Sequence, residues 1–161
     1  MKIKNTGLKL EKLINKTNQY YLKEKIAVIN KKPTPIKVLK IKNQKIVNGF
    51  FEKKSTTDYN GLYNGKYLDF DVKSSIKTKI NIKNHIPLHQ LKHLELIDNH
   101  GGISFIILYF INENKFFVVP YKLLKRKKSL NIFDLEKKNL EIKITPNLIL
   151  DYLNKVDQLW K

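Results

Sequence analysis

The segment Tyr67–Lys73 constrains the fold of this chain more than any other, because apolar and charged residues alternate along it. Side chains of a β-strand point alternately to its two faces. One face therefore carries Leu68, Phe70 and Val72, and the other carries Tyr67, Asp69, Asp71 and Lys73. We expect the first face to pack in a core and the second to be an exposed, charged face.

Helical and strand patterns alternate on both sides of this segment. Apolar residues at helical spacing predict helices over Leu8–Glu24, over Pro87–Asn99 and from an Asn147 cap to Trp160. Apolar runs predict further strands at Ile26–Ile29, Ile103–Ile111 and Phe116–Val119. This order predicts an α/β fold, a single domain over residues 1–161 with helices packed on one mixed sheet.

The charge balance indicates a polyanionic partner. The chain has 32 Lys+Arg against 14 Asp+Glu, a net charge of +18, and Lys31–Leu94 alone holds 14 lysines and four acids. An AT-rich genome favours lysine, but it does not explain the deficit of acids. A charge of this size favours nucleic acid or the ribosome as a partner.

Composition also excludes several classes of protein. No apolar run approaches the roughly 20 residues of a membrane span, so we expect no membrane partner. The chain has no cysteine, which excludes disulfides, thiolate metal sites and thiol nucleophiles. We therefore expect a cytoplasmic location.

Lysines interleave with apolar residues from Lys31 to Phe51, on both sides of a polar break at Asn43-Gln44. This pattern predicts the two strands of a hairpin, after a rigid extended connector at Lys32-Pro33-Thr34-Pro35. The lysines are Lys31, Lys32, Lys37, Lys40, Lys42 and Lys45. The pattern alone does not separate a DNA-contacting projection from a sheet edge guarded by lysines.

Two aspartates precede a lysine in an arrangement that suits phosphodiester hydrolysis. Turn signals at Asp58–Gly61 and Asn64-Gly65 predict a hairpin that brings Asp58 beside Asp71. Paired carboxylates repel unless a cation or a proton neutralises them, and their oxygens suit Mg²⁺ or Mn²⁺. Lys73 shares a face with Asp71 and can stabilise charge on a phosphorane. Alternating charges on a solvated strand give the same pattern, so both interpretations stay open here.

Longer strings carry a family resemblance. STTDYNG at Ser55–Gly61 and GKYLDFDVK at Gly65–Lys73 resemble the RecU family of Holliday junction resolvases, within the PD-(D/E)xK nuclease superfamily. The Leu10-Glu11 helix, the IAVINKKPTPIKV stretch and the His89-Gln90 helix are similar in the same order. The resemblance implies a restriction-endonuclease-like mixed central sheet flanked by helices, with a basic stalk hairpin projecting at residues 31–51.

The resemblance also implies functional residues. It implies catalytic roles for Asp58, Asp71, Lys73 and Glu11, and metal-site roles for Thr56, Asp58, Asp71 and Gln90. It implies that the hairpin lysines contact DNA. The second acid of the family is usually Glu, and Asp71 here is one methylene shorter, which bears on the metal geometry.

The implied activity is Mg²⁺-dependent nicking of opposed strands of four-way junction DNA by a homodimer, in recombination and DNA repair. Mn²⁺ is expected to substitute for Mg²⁺, and recombinase and branch-migration proteins are implied further partners. The alternatives are a catalytically inactive nucleic-acid-binding protein on the same scaffold and an unrelated ribosome-associated protein. The intact Asp58, Asp71 and Lys73 favour the nuclease.

Two further sets of residues are left with open or weak roles. Asp69 stays open between a supporting role beside the metal and a solvated charge. His85, His89 and His93 follow each other at a spacing of four, and we interpret them as DNA-facing or surface residues rather than as a metal pair.

Overall fold

The computed structural model of the chain describes residues 4–52 and 55–160. The helices are α1 (Lys4–Lys23), α2 (Ile82–His85), α3 (Leu88–Asn99), α4 (Tyr121–Arg126), α5 (Ile132–Lys137) and α6 (Tyr152–Leu159). The strands are β1 (Val28–Lys31), β2 (Ile36–Lys42), β3 (Lys45–Phe51), β4 (Tyr59–Tyr63), β5 (Lys66–Ser75), β6 (Lys79–Asn81), β7 (Ile103–Phe110), β8 (Lys115–Pro120), β9 (Ser129–Asn131) and β10 (Glu141–Ile142).

A mixed sheet with the strand order β1-β4-β5-β7-β8-β10 organises the fold. Strand β5 pairs with β4 in antiparallel and with β7 in parallel orientation. The segment Tyr67–Lys73 therefore lies inside the sheet and is hydrogen-bonded on both edges.

Apolar side chains cover both faces of this sheet. On one face, α1 and α6 pack on alternate residues of β5 and β7, and Phe70 stacks on Phe105 with ring centroids 4.8 Å apart. On the other face, Leu94 of α3 and Leu124 of α4 pack on Ile106 and its neighbours. The predicted mixed α/β architecture is confirmed, with helices on both sides of the sheet.

The two aspartates on the charged face of β5 are buried, and our expectation that they are exposed was wrong. Asp69 and Asp71 are both 0% exposed. Helix α3 lies over them, with Gln90 and His93 within hydrogen-bond distance of the two carboxylates. The alternation correctly separates the two faces, but it carries no information about a helix that covers one of them.

Gly61 was predicted to lie in a turn, but it belongs to strand β4. A Cβ atom at Gly61 would lie 2.1 Å from the carbonyl oxygen of Val28 in β1. The glycine therefore permits a close approach of two strands. The turn predicted at Asn64-Gly65 is confirmed, and both residues have positive φ, at 48° and 73°.

Strands β2 and β3 form a separate antiparallel hairpin whose residues are all exposed. The hairpin turns at Asn43 and Gln44, both with positive φ. Its apolar residues are exposed as well, with Phe51 at 73%. The two strands predicted around the polar break are thus observed.

Element ends and short elements differ from the prediction. Strand β1 begins at Val28, two residues later than predicted, and Asp151 rather than Asn147 precedes α6 as its N-cap. Helices α4 and α5 were not predicted. Within residues 4–52 and 55–160, no helix combines the length and the apolar character that a membrane crossing requires.

Candidate active site

The β4–β5 hairpin places Asp58 beside Asp71. Tyr59 pairs with Phe70 in this hairpin, so Asp58, which precedes β4, reaches the level of Asp71. The backbone N–H of Val72 donates a hydrogen bond of 3.0 Å to Oδ2 of Asp58. The structure therefore brings together the two aspartates that the sequence pairs.

The carboxylate of Asp71 is buried and lies close to the charges of both Asp58 and Lys73. Nε2 of Gln90 donates a hydrogen bond of 3.1 Å to its Oδ1, and the Lys73 ammonium contacts its Oδ2 as an ion pair. Burial, and secondarily the charge of Asp58, raises the pKa of Asp71 to about 7, although Lys73 opposes this shift. A divalent cation would relieve the repulsion between the two aspartates.

Oxygen atoms at this place fit a hard divalent cation. Oδ2 of Asp71 and Oε1 of Gln90 are both buried. The Lys73 ammonium contacts Oδ2 of Asp71, whereas Oε1 of Gln90 has no hydrogen-bond partner in the part of the chain that the structure describes. Among the same residues, no three His, Asp or Glu side chains cluster in a way that could hold a metal. A cation here would rely on Asp58, Asp71 and the neutral oxygen of Gln90, a donor set that suits Mg²⁺.

A cleft of about 350 Å³ opens beside the aspartates, and both Asp58 and Glu11 line it. Glu11 forms an ion pair with Lys31 at the end of β1. Thr56 is half-buried, and its hydroxyl accepts a hydrogen bond of 3.3 Å from the Lys32 ammonium. Glu11 therefore shares a cleft with Asp58, whereas the Thr56 hydroxyl is engaged by a lysine.

The structure separates the six lysines that the sequence groups. Lys37, Lys40, Lys42 and Lys45 are exposed along β2 and at the start of β3. The ammonium of Lys32 instead points into the body of the protein and contacts Asp69 at 2.6 Å. The four hairpin lysines are available to a polyanion, and Lys32 is already paired.

Asp69 and Thr57 form a second polar cluster that sequence reasoning missed. The Thr57 hydroxyl donates to Oδ1 of Asp69, and both side chains are fully buried. The two-residue spacing from Asp71 was the one signal for Asp69. Nothing in the sequence pairs it with Lys32, which lies 37 positions away.

The histidines contact the protein body. Nε2 of His93 lies 3.0 Å from Oδ2 of Asp69, Nε2 of His89 lies 3.1 Å from the carbonyl oxygen of Ser55, and Nε2 of His85 lies 3.0 Å from that of Ser74. One nitrogen of each ring therefore contacts protein, while all three residues are partly exposed, and a contact with DNA stays a prediction.

The sequence and fold match known proteins. Residues 5–158 match the family described as RecU, Recombination protein U. A protein of Streptococcus pneumoniae strain P1031 named Holliday junction resolvase RecU is 38% identical, over 96% of this chain and 84% of its own. A protein of the same name from Leuconostoc mesenteroides is 39% identical, over 95% of this chain and 81% of its own.

A solved structure supports the fold independently of sequence. Hjc from Archaeoglobus fulgidus, described as a Holliday junction resolvase, superimposes with a TM-score of 0.51 at 10% identity. The match covers 86% of this chain and 98% of Hjc, and it confirms the restriction-endonuclease-like fold. The sequence match over nearly the whole chain shows that this protein belongs to the RecU family.

Proposed function

We propose that this protein is a Holliday junction resolvase, a nuclease that acts on four-way DNA junctions in homologous recombination and repair. The observation that carries the proposal is the buried Asp71 beside the partly exposed Asp58, with Lys73 in contact with Asp71, in a chain of the RecU family. The relatives that carry the resolvase name match the chain over nearly its whole length. The excess of lysine supports DNA as the partner.

The proposed cofactor is Mg²⁺, with Mn²⁺ as a substitute, held by Asp58, Asp71 and Oε1 of Gln90. A bound divalent ion would lower the pKa of a water molecule and polarise a phosphoryl oxygen. The water would lose a proton to solvent as its oxygen bonds to phosphorus, and the leaving nucleotide oxygen would take up a proton from solvent as its P–O bond breaks. The Lys73 ammonium stabilises the negative charge that develops on the phosphorane.

The proposal includes roles for two residues at the edge of the site. Glu11 lines the same cleft as Asp58 and is proposed to act with Lys31, its ion-pair partner. Thr56 is proposed as a neutral oxygen donor. Its hydroxyl would have to share its hydrogen-bonding with the Lys32 ammonium.

Two symmetric cuts require two sites, and each chain supplies one Asp58–Asp71–Lys73 set. We therefore include a two-fold homodimer in the proposal, since isologous pairing is the commonest way in which identical chains close. The hairpin of β2 and β3 carries exposed lysines, and two such hairpins near the axis would repel each other without DNA between them. A cytoplasmic location and contacts with recombinase and branch-migration proteins complete the proposal.

Cleavage of a synthetic four-way junction tests the activity. We expect paired nicks at symmetric positions with Mg²⁺, none with EDTA, and no cleavage of a linear duplex of the same arm sequence. Asp58→Asn and Lys73→Met should bind the junction without cleaving it. A wild-type protein that binds junctions and never cleaves them would indicate the catalytically inactive DNA-binding alternative instead.

Shortening the hairpin tests the stalk and the dimer. A variant with a tight turn in place of residues 37–46 should stay folded and lose its preference for junction over duplex in a competition assay. The slope of log affinity against log salt should flatten by about 0.9 for each lost phosphate contact. Undiminished junction preference would contradict the role of the hairpin, and a monomeric mass during paired cutting would contradict the dimer.

A further inference from the structure

An ion pair between Lys32 and Asp69, which the sequence did not predict, lies beside the Asp58–Asp71 pair. Asp69 is 0% exposed, and the side chain of Lys32 is 15% exposed. The Lys32 ammonium lies 2.6 Å from Oδ2 of Asp69. Burying both charges is costly unless further hydrogen bonds satisfy them.

Those further hydrogen bonds involve Thr57, the residue directly before Asp58. The Lys32 ammonium donates to the Thr57 hydroxyl at 2.6 Å, and the same hydroxyl donates to Oδ1 of Asp69. Lys32, Thr57 and Asp69 thus form a closed triangle of contacts. Thr57 is fully buried and directly precedes Asp58, so the triangle restrains the backbone of the proposed metal ligand.

A backbone contact joins the same two segments. The N–H of Lys32 donates a hydrogen bond of 2.8 Å to the carbonyl oxygen of Asp58. Lys32 therefore contacts the Thr57-Asp58 segment through both its main chain and its side chain. It also begins the connector to the β2–β3 hairpin, so one residue ties the base of that hairpin to the proposed metal site.

Stability alone is a weak explanation for this arrangement. Apolar residues of similar volume often replace a buried ion pair at no loss of stability. The carboxylate of Asp69 is engaged by Lys32 and Thr57, whereas Gln90 contacts Asp71 on the same strand face. The triangle instead resembles the supporting hydrogen bonds that hold metal ligands in place.

We propose that Lys32, Thr57 and Asp69 are positioning residues that fix Asp58 relative to Asp71. The proposal rests on the proposed function, since it names what supports that site. Its expected signature is a loss of metal affinity and cleavage rate without a loss of junction binding. A displacement of about 1 Å at a catalytic group costs on the order of 100-fold in rate.

The central comparison is between Thr57→Val and Thr57→Ser. Valine keeps the volume of threonine and removes the hydroxyl, whereas serine keeps the hydroxyl. We expect Thr57→Val to lower the single-turnover cleavage rate by about 10- to 100-fold and to weaken Mn²⁺ binding in an EPR titration without DNA. Thr57→Ser should stay within about threefold of the wild type in both measurements, since it keeps the donor.

Lys32→Met/Asp69→Asn is the second variant. It removes both charges together, so no unpaired buried charge remains, and its melting temperature should stay close to that of the wild type. Its cleavage rate and Mn²⁺ affinity should fall as in Thr57→Val. The matched control is Lys115→Met/Glu136→Gln, which removes an ion pair between β8 and α5 and should leave both measurements unchanged.

The outcomes separate this inference from the proposed function. A folded Thr57→Val protein with wild-type cleavage and Mn²⁺ affinity would overturn the inference, as would a Thr57→Ser protein that is equally impaired. A wild-type protein that binds Mn²⁺ and cuts no junction would contradict the proposed function instead. The Mn²⁺ titrations of the same variants would then still decide whether the triangle positions Asp58.

Discussion

Asp69 and Asp71 stand two residues apart on the same face of β5 and are equally buried, yet their surroundings differ. Asp69 accepts contacts from Lys32, Thr57, Tyr67 and His93. Asp71 has contacts from Gln90 and Lys73, but it also faces the like charge of Asp58, and its pKa is raised. One strand therefore carries two different carboxylates. Asp69 has several hydrogen-bond partners, and we call it the satisfied aspartate; Asp71 is held against a like charge, and we call it the frustrated aspartate.

This difference agrees with the proposed positioning role of Asp69 and the proposed metal-binding role of Asp71. A buried carboxylate with several donors contributes to a defined local structure. A buried carboxylate held against another is unfavourable in the metal-free protein, and such strained groups cluster at functional sites. Substituting each aspartate in turn should therefore have different consequences for activity and for stability.

The largest expected effect is on cleavage by Asp71→Asn. The substitution removes one of two charged oxygen groups at the proposed cation position, and we expect the single-turnover rate to fall by on the order of 1,000-fold. Junction affinity, measured in EDTA, should change little because the exposed lysines are intact. A rate within tenfold of the wild type would mean that Asp71 does not hold the cation.

Asp69→Ala should have the next largest effect, and it should act on stability. It leaves the Lys32 ammonium buried without its carboxylate, which costs about 3 kcal/mol or more in the free energy of unfolding. Urea denaturation of the metal-free protein measures this loss. Lys115→Met breaks the more exposed Lys115–Glu136 ion pair and should cost less than about 1 kcal/mol in the free energy of unfolding. Equal losses in the two variants would show that the Lys32–Asp69 pair stabilises the fold no more than an exposed pair.

Much of the site around Asp71 could be predicted from the sequence, because its contacts join residues that are close along the chain. The Asn64-Gly65 turn fixes the register of β4 and β5, and this register sets Asp58 beside Asp71. The alternation along β5 then places Lys73 on the same face as Asp71. Only the depth of burial was wrong, because it depends on the separate helix α3.

The cluster of Lys32, Thr57 and Asp69 could not be predicted, because its contacts join residues that are far apart along the chain. Lys32 and Asp69 are 37 positions apart, and β4 lies between β1 and β5 in the sheet. A lysine in a basic connector gives no sign that its ammonium turns inward. Helices α4 and α5 were missed because six residues are too few for a helical period to stand out.

A pH dependence of stability should also distinguish the two aspartates. The folded pKa of Asp71 is raised from 3.8 to about 7, so its stabilising contribution is complete below pH 4 and is lost as the pH rises through 7. Asn cannot ionise and avoids this loss. In EDTA, the gain in stability of Asp71→Asn over the wild type should therefore be larger at pH 8 than at pH 5, by about 2 kcal/mol.

Chemical denaturation at the two pH values measures this gain. Asp58→Asn is the informative companion, because it removes the like charge and leaves the Asp71 carboxyl in place. It should reduce the pH dependence of the wild type rather than abolish it, since burial is the larger cause of the raised pKa. An equal gain for Asp71→Asn at pH 5 and pH 8 would contradict the idea that Asp71 is frustrated.

The smallest effect is expected for Tyr67→Phe, which removes one donor from the satisfied carboxylate. The Tyr67 hydroxyl lies 3.1 Å from Oδ2 of Asp69 and is partly solvated, since the residue is 43% exposed. Asp69 keeps its contacts with Lys32 and Thr57, so the loss should be about 0.5–1 kcal/mol of stability, with cleavage unchanged. Gln90→Leu is the matched removal at Asp71, which has no second donor of that kind at Oδ1 within residues 4–52 and 55–160. Gln90→Leu should lower the cleavage rate. Equal cleavage rates for Tyr67→Phe and Gln90→Leu would contradict the distinction between the two aspartates.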